Sequence, residues 1–191
     1  MKYLKILSLA AVAAMAMMAF ASSASATTII GGSPEKTLGS GDTIDFSIPS
    51  GKSAVLVDTE GGELDTCSGS TVNGKLSSAA TGSIESLTWT GCTFPTSTVT
   101  KGKLEVVSTG GTNGEVKADA EIGVTINTIF FGSCVYGVTS GTKVGTVAGN
   151  PAVFTANAVA KKLSGSNIAC PETSKWTGTY NATTANLHVE P

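Results

Sequence analysis

Four carboxylates fall within eight residues around a glycine pair: Asp58, Glu60, Glu63 and Asp65. Carboxylate oxygens on a flexible turn suit Ca²⁺, which takes about six to eight oxygen ligands. Glycoside hydrolysis also needs two carboxyl groups. The spacing does not match an EF-hand loop, so a solvated loop between strands is the interpretation we favour. A calcium site at these four residues and a catalytic carboxylate pair are the alternatives.

Aromatic side chains are the second set that could bind a ligand. Trp89 and Trp176 each lie within a few residues of a cysteine. A tryptophan packed on a disulfide is a common core arrangement in β-sandwiches, and we favour that interpretation here. The alternative is an exposed platform for sugar rings, formed by Trp89 and Trp176 with help from Tyr136 and Tyr180.

Few residues of this chain could support nucleophilic catalysis. His188 is the only imidazole, and it lies three residues from the C-terminus, where we expect an exposed side chain. Ser–His–Asp and Cys–His devices need an imidazole, and a catalytic zinc site usually needs more than one. No Gly-x-Ser-x-Gly motif is present. We therefore predict a non-catalytic protein without a small-molecule cofactor, and the runner-up is a small secreted hydrolase that uses carboxylates.

The charge of the chain argues against nucleic acid as a partner. The formal net charge is −2, and the 12 basic residues are all lysines. Nucleic-acid binding needs a cationic surface that displaces phosphate counterions, and arginine is its usual reader of phosphate and guanine. We predict no nucleic-acid binding.

The N-terminus predicts export. Lys2 and Lys5 precede an apolar run from Ile6 to Phe20, and Ala24-Ser25-Ala26 fits a signal peptidase site. We predict a signal peptide at residues 1–26 and no transmembrane segment after its removal. The protein is then secreted, as an extracellular or periplasmic protein.

Four cysteines remain after that cleavage: Cys67, Cys92, Cys134 and Cys170. An even number in an exported chain predicts two disulfides. Three pairings exist, and we favour Cys67–Cys92 with Cys134–Cys170 because it closes the shortest loops.

Short alternating runs between turn residues predict an all-β fold. Asn73-Gly74, Thr112-Asn113-Gly114 and Gly149-Asn150-Pro151 are typical of turns. The hydrophobic run Val124 to Phe131 predicts a central strand, and a strand is favoured over a helix for 153–162. We expect about ten short strands in a single β-sandwich domain at residues 27–191, immunoglobulin-like or jelly-roll-like.

Three stretches carry a resemblance to a known group: Ile84 to Thr93, Phe131 to Gly137, and Cys170-Pro171 followed by Trp176 to Tyr180. They resemble a loose group of small, mostly uncharacterised bacterial secreted proteins of actinobacterial type, rich in Thr and Gly, with similar cysteine contexts. The chain is also similar to secreted activators of alkane oxidation. This resemblance implies no catalytic residues.

Hydroxyl side chains suggest what the surface binds. Residues 27–191 contain 45 Ser and Thr residues and 24 charged ones. A face of this kind is weakly polar and could lie flat on an extended surface. We expect a cell-surface or extracellular binding or structural role, with polysaccharide, the cell envelope or another protein subunit as partner. A pilin-like subunit of a surface assembly is a further alternative, since Gly178 lies where pilins place a glycine.

Overall fold

A computed structural model describes residues 26–191, apart from the side chains of residues 97–100. The predicted signal peptide lies outside the described residues, except for its last residue. The described chain is all-β, with fifteen strands and no helix, so no helix there is long and apolar enough to cross a membrane. The strands are β1 (Thr28–Gly31), β2 (Lys36–Leu38), β3 (Thr43–Ser47), β4 (Ala54–Asp58), β5 (Glu63–Leu76), β6 (Thr81–Cys92), β7 (Thr96–Thr100), β8 (Lys103–Gly110), β9 (Asn113–Ala118), β10 (Ile122–Thr128), β11 (Gly132–Val138), β12 (Lys143–Ala148), β13 (Val153–Lys162), β14 (Thr173–Ala182) and β15 (His188–Glu190).

Eight strands form a closed barrel in the order β14-β4-β5-β6-β8-β9-β12-β13. The antiparallel pairing of β13 with β14, from Val153↔Asn181 to Lys161↔Thr173, closes the ring. Strand β13 shows why the chain takes this form. Its residues alternate strictly, with Phe154 and three alanines buried inside and Thr155, Asn157, Val159 and Lys161 exposed outside. A period of two puts one set of side chains in the core.

Four strands add to this barrel at its edges. Strand β3 pairs with β5 and with the end of β14. Strand β11 pairs with the last residues of β13, and β10 and β7 follow outward from it. The run that predicted a central strand is therefore β10, which lies outside the closed ring, and its last apolar residues fall in the turn after it.

A separate three-stranded sheet, the terminal sheet, has the order β15-β1-β2. The N-terminal strand pairs with the C-terminal one, with Thr28 opposite Glu190. Strand β15 also contacts β8, β9 and β12 of the barrel. Ile29, Leu187 and Val189 belong to the same hydrophobic core as the barrel interior. The terminal sheet therefore covers one end of the barrel.

The sequence prediction of an all-β fold with two disulfides is confirmed. The disulfides are Cys67–Cys92, across the neighbouring strands β5 and β6, and Cys134–Cys170, from β11 to the loop before β14. This is the pairing that we favoured. The two-sheet sandwich is not clearly present, because the pairing of β13 with β14 makes one sheet return on itself.

Two of the predicted turns differ from the structure. Asn73-Gly74 lies inside β5 at a register shift against β6, so the pair forms a bulge and not a turn. The hairpin near Asn113 is present, but its turn falls at Gly111-Thr112, since Gly110 pairs with Asn113. The positive φ angles of Gly110 and Gly111 explain this shift, because glycine adopts that conformation without steric cost. The turn at 149–151 and the strand at 153–162 are confirmed.

Candidate functional site

The acidic turn between β4 and β5 is organised by one of its carboxylates. Asp58 Oδ1 accepts the backbone N–H groups of Glu60 at 2.9 Å and Gly62 at 2.7 Å. The Glu60 and Glu63 side chains point to solvent. Asp58 thus stabilises a tight turn between β4 and β5, so its carboxylate has a structural role.

Asp65 is separated from the other three acids. It is buried, and its carboxylate accepts hydrogen bonds from the backbone N–H of Phe94 at 3.0 Å and from the Thr96 hydroxyl. The described residues contain one group of three side chains close enough to share a metal ion: Asp65, Cys67 and Cys92. Both thiols are in a disulfide, so this group is not a metal site. The structure does not bring Asp58, Glu60, Glu63 and Asp65 together, and it adds no support to the calcium site or the catalytic pair.

The four aromatic candidates are not an exposed platform. Tyr136 and Tyr180 are fully buried, and Trp89 and Trp176 are half-buried. The tryptophan rings meet edge to face at 5.6 Å, and Trp176 meets Tyr180 at 5.9 Å. Edge-to-face contacts of this kind stabilise a core. These residues pack the barrel interior, and neither tyrosine is available to an external sugar.

Burial has a chemical consequence for both tyrosines. It raises the pKa of Tyr136 to about 12, and the negative charges of Asp58 and Glu172 act in the same direction. It also raises the pKa of Tyr180 to about 12, although the hydrogen bond with Ser70 opposes the shift. Both phenols are therefore neutral at physiological pH and do not act as bases.

A different feature, which we call the apolar tip, is exposed. It consists of Ile129 and Phe130 in the turn between β10 and β11, and Ile168 in the loop before β14. Their side chains are 80%, 78% and 94% exposed. Among the described side chains only one other large hydrophobic, Val159, is exposed, and it lies on the outer wall of β13. Three of four such residues thus cluster at one end of the molecule.

The two loops of the apolar tip are held together. The backbone N–H of Asn167 donates to the Ser133 carbonyl at 2.8 Å, and the Cys134–Cys170 disulfide joins the strand that follows the turn to the second loop. Within the turn, the Phe131 N–H donates to the Thr128 hydroxyl at 2.8 Å. The exposed side chains therefore stand on a braced support.

The surroundings of the apolar tip are uncharged. No Asp, Glu, Lys, Arg or His occurs in residues 122–142 or 163–171. Glu121 and Lys143 flank the first of these segments, and Lys162 and Glu172, which form an ion pair with each other, flank the second. The desolvation free energy of an uncharged apolar protrusion is low, because no ion loses its hydration with it.

Sequence reasoning missed the apolar tip because it treated Val124 to Phe131 as one buried strand. Hydrophobicity alone does not tell a core strand from a strand that ends in an exposed apolar turn. The long segment without any charge was the available signal.

Comparisons of the chain with known protein families, curated proteins and solved structures found no match. The resemblance to secreted bacterial proteins therefore stays a prediction.

Proposed function

We propose that this is a secreted, non-catalytic protein that attaches to the lipid of the cell envelope through its apolar tip. The observation that carries the proposal is the exposure of Ile129, Phe130 and Ile168 on neighbouring, braced loops. Large apolar side chains that cluster on a surface mark interaction sites, whereas single ones do not. The two disulfides support an oxidising compartment, such as the extracellular space or the periplasm.

A lipid surface suits the tip better than polysaccharide does. The tip offers no charged group, and its side chains are two isoleucines and a phenylalanine. Fully burying each such side chain contributes roughly 1.5–3 kcal/mol. Three of them give a weak, reversible attachment comparable with that of one acyl chain. Such an attachment needs neither anionic lipid nor low salt, since no Coulomb attraction contributes to it.

Vesicle co-sedimentation of the mature protein tests this proposal. We expect binding to neutral phosphatidylcholine vesicles, with little change on adding phosphatidylglycerol or 0.5 M salt. Phe130→Ser should lower the partition coefficient about tenfold, which corresponds to the loss of about 1.4 kcal/mol. Ile168→Ser should act in the same direction.

Val159→Ser is the matched control, because it removes an exposed apolar side chain elsewhere on the barrel. It should leave vesicle binding unchanged. Equal binding by wild type and Phe130→Ser would contradict the proposal. So would a concentration-dependent oligomer in size-exclusion chromatography that Phe130→Ser abolishes without vesicles present, because the partner would then be a protein subunit. Sedimentation with insoluble glycans, but not with vesicles, would favour polysaccharide.

A further inference from the structure

An apolar cavity lies at the other end of the molecule, between the barrel interior and the terminal sheet. Ile29 and Val189 of the terminal sheet, with Leu187 just before β15, form one side of it. Phe46, Val147 and Phe154 of the barrel and its edge form the other. Phe154 is the second residue of strand β13, whose last residue, Lys162, pairs with Tyr136 beside the loops of the apolar tip. The cavity and the tip are thus at opposite ends of the same strand.

Among the described residues, only two polar side chains line the cavity, those of Ser83 and His188. Both have hydrogen-bond partners outside it. The Ser83 hydroxyl donates to Glu85 at 2.7 Å. His188 is buried, not exposed as the sequence suggested, with Nδ1 2.9 Å from the Asn186 carbonyl and Nε2 3.4 Å from Glu190. The cavity therefore offers an occupant no unpaired side-chain donor or acceptor that could hold water or a charged group.

The volume of the cavity is about 70 Å³. An engineered apolar cavity of about 150 Å³ stays dry and binds benzene or xenon. Half of that volume accommodates a xenon atom or a few carbon atoms of an alkyl chain. Buried water is a poor occupant, because it needs about two to four polar partners.

The side of the cavity nearest the surface includes the start of β6 and part of β8. The lining residues that remain partly exposed include Ala80, Gly82 and Ser83 on one side and Leu104 and Val106 on the other. The other strands around the cavity contribute mostly buried residues. Because the Val106 N–H donates to the Ala80 carbonyl at 2.9 Å, an alkyl group enters here only through a local opening between the start of β6 and β8.

We propose that this cavity is a binding site for a small neutral alkyl group, either a free hydrocarbon or the end of a longer chain. The apolar lining and the paired polar groups both favour the same ligand chemistry. The site is independent of the apolar tip, and either can fail without the other.

Methyl NMR of the mature protein, labelled at Ile, Leu and Val, tests the site. We expect xenon under pressure to shift the methyl resonances of Ile29, Val147 and Leu187 saturably. Pentane and decanol distinguish the two sources of the ligand. Shifts with pentane alone indicate a free small molecule, and shifts of the same methyls with decanol indicate a chain that passes through the local opening between β6 and β8.

Ala80→Leu should fill the partly exposed side of the cavity. The apparent affinity for xenon, measured from these saturable shifts, should then fall at least tenfold. Ala79→Leu is the matched control, since Ala79 is the chain neighbour of Ala80 but does not line the cavity. Ala152→Val, deeper in the cavity, serves as a second filling variant if the first does not fold. Absence of saturable shifts with all three probes, or identical shifts in wild type and a folded filling variant, overturns the proposal.

Discussion

Two buried tyrosines in the same core differ in one hydrogen bond. The Tyr180 hydroxyl donates to the buried Ser70 hydroxyl at 3.2 Å. The Tyr136 hydroxyl has no hydrogen-bond partner among the described residues. A buried hydroxyl without a partner has lost its water and gained nothing in return, whereas a paired one recovers most of that cost.

Tyr180→Phe should lower the free energy of unfolding at pH 7 by about 1–2 kcal/mol, because it leaves the Ser70 hydroxyl without its partner. Tyr136→Phe should leave it unchanged or raise it by up to about 1 kcal/mol, since only an unpaired hydroxyl is removed. Urea denaturation followed by tryptophan fluorescence measures both. A larger loss in Tyr136→Phe than in Tyr180→Phe would contradict this account.

The same tyrosines predict an alkaline limit to stability. Their pKa values are raised to about 12 in the folded protein, against about 10 in the unfolded chain. Above pH 10 the unfolded chain releases these protons and the folded protein keeps them, so stability falls as pH rises from about 10 to 12. The loss should reach about 1–3 kcal/mol per tyrosine, and it should be smaller in Tyr136→Phe when unfolding is measured at pH 7 and pH 11.

The residues that the sequence predicted well are those whose partners follow from chemistry and spacing. The cysteine pairs are correct because export and short loops restrict the choices. The carboxylates were harder to place. Asp65 lies only two residues from Glu63, yet it is buried and Glu63 is exposed. Its partner, the Thr96 hydroxyl, is contributed by β7, which lies 31 positions further along the chain.

The two disulfides constrain different kinds of secondary-structure element. Cys67–Cys92 crosslinks β5 and β6, which are already joined by a long ladder of hydrogen bonds. Cys134–Cys170 ties β11 to a loop without strand pairing, residues 163–172. The second bridge therefore determines local order at the apolar tip.

Replacing Cys134 and Cys170 by Ala should lower the free energy of unfolding by about 2–4 kcal/mol, because the bridge closes a loop of 36 residues. Amide exchange in residues 163–171 should also accelerate at least tenfold. The matched variant, with Cys67 and Cys92 replaced by Ala, should lose stability without faster exchange in that loop. Hydrogen exchange with mass spectrometry resolves the two, and equal exchange in both variants would contradict the assignment.

Strand existence was predictable where apolar and polar residues alternate, as in β13. Strand position was not. The run at 124–131 has the composition of a central strand, but its place outside the barrel depends on pairing with β11 and β7. Such pairings join distant parts of the chain, and local periodicity carries no information about them.

The whole molecule consists of a closed barrel with a small sheet laid over one end. Closure depends on nine consecutive residue pairs between β13 and β14. The terminal sheet depends on three pairs between β1 and β15. The barrel should therefore be the more stable unit, because opening free energies rise with the extent of buried, paired structure.

Deletion of residues 187–191 should remove amide protection from residues 28–31 and lower the thermal midpoint, while the β13–β14 ladder stays protected. Deletion of Pro191 alone is the control, because that residue is exposed and lies outside β15. Peptide-resolved hydrogen exchange tests this expectation. Equal loss of protection in β1 and in β13 would show that sheet and barrel unfold together.

The pairing of Thr28 with Glu190 also sets an order of events during biosynthesis. A chain made from its N-terminus can pair β1 with β2 early, but the other neighbour of β1, strand β15, is 162 positions further on. Until the last residues emerge, the segment Thr28-Ile29-Ile30-Gly31, with its two isoleucines, has one unpaired β-edge, the edge that faces β15 in the folded protein. The nascent chain must therefore avoid aggregation through β1 until β15 has been synthesised. A chaperone that shields β1 would raise the yield of folded molecules.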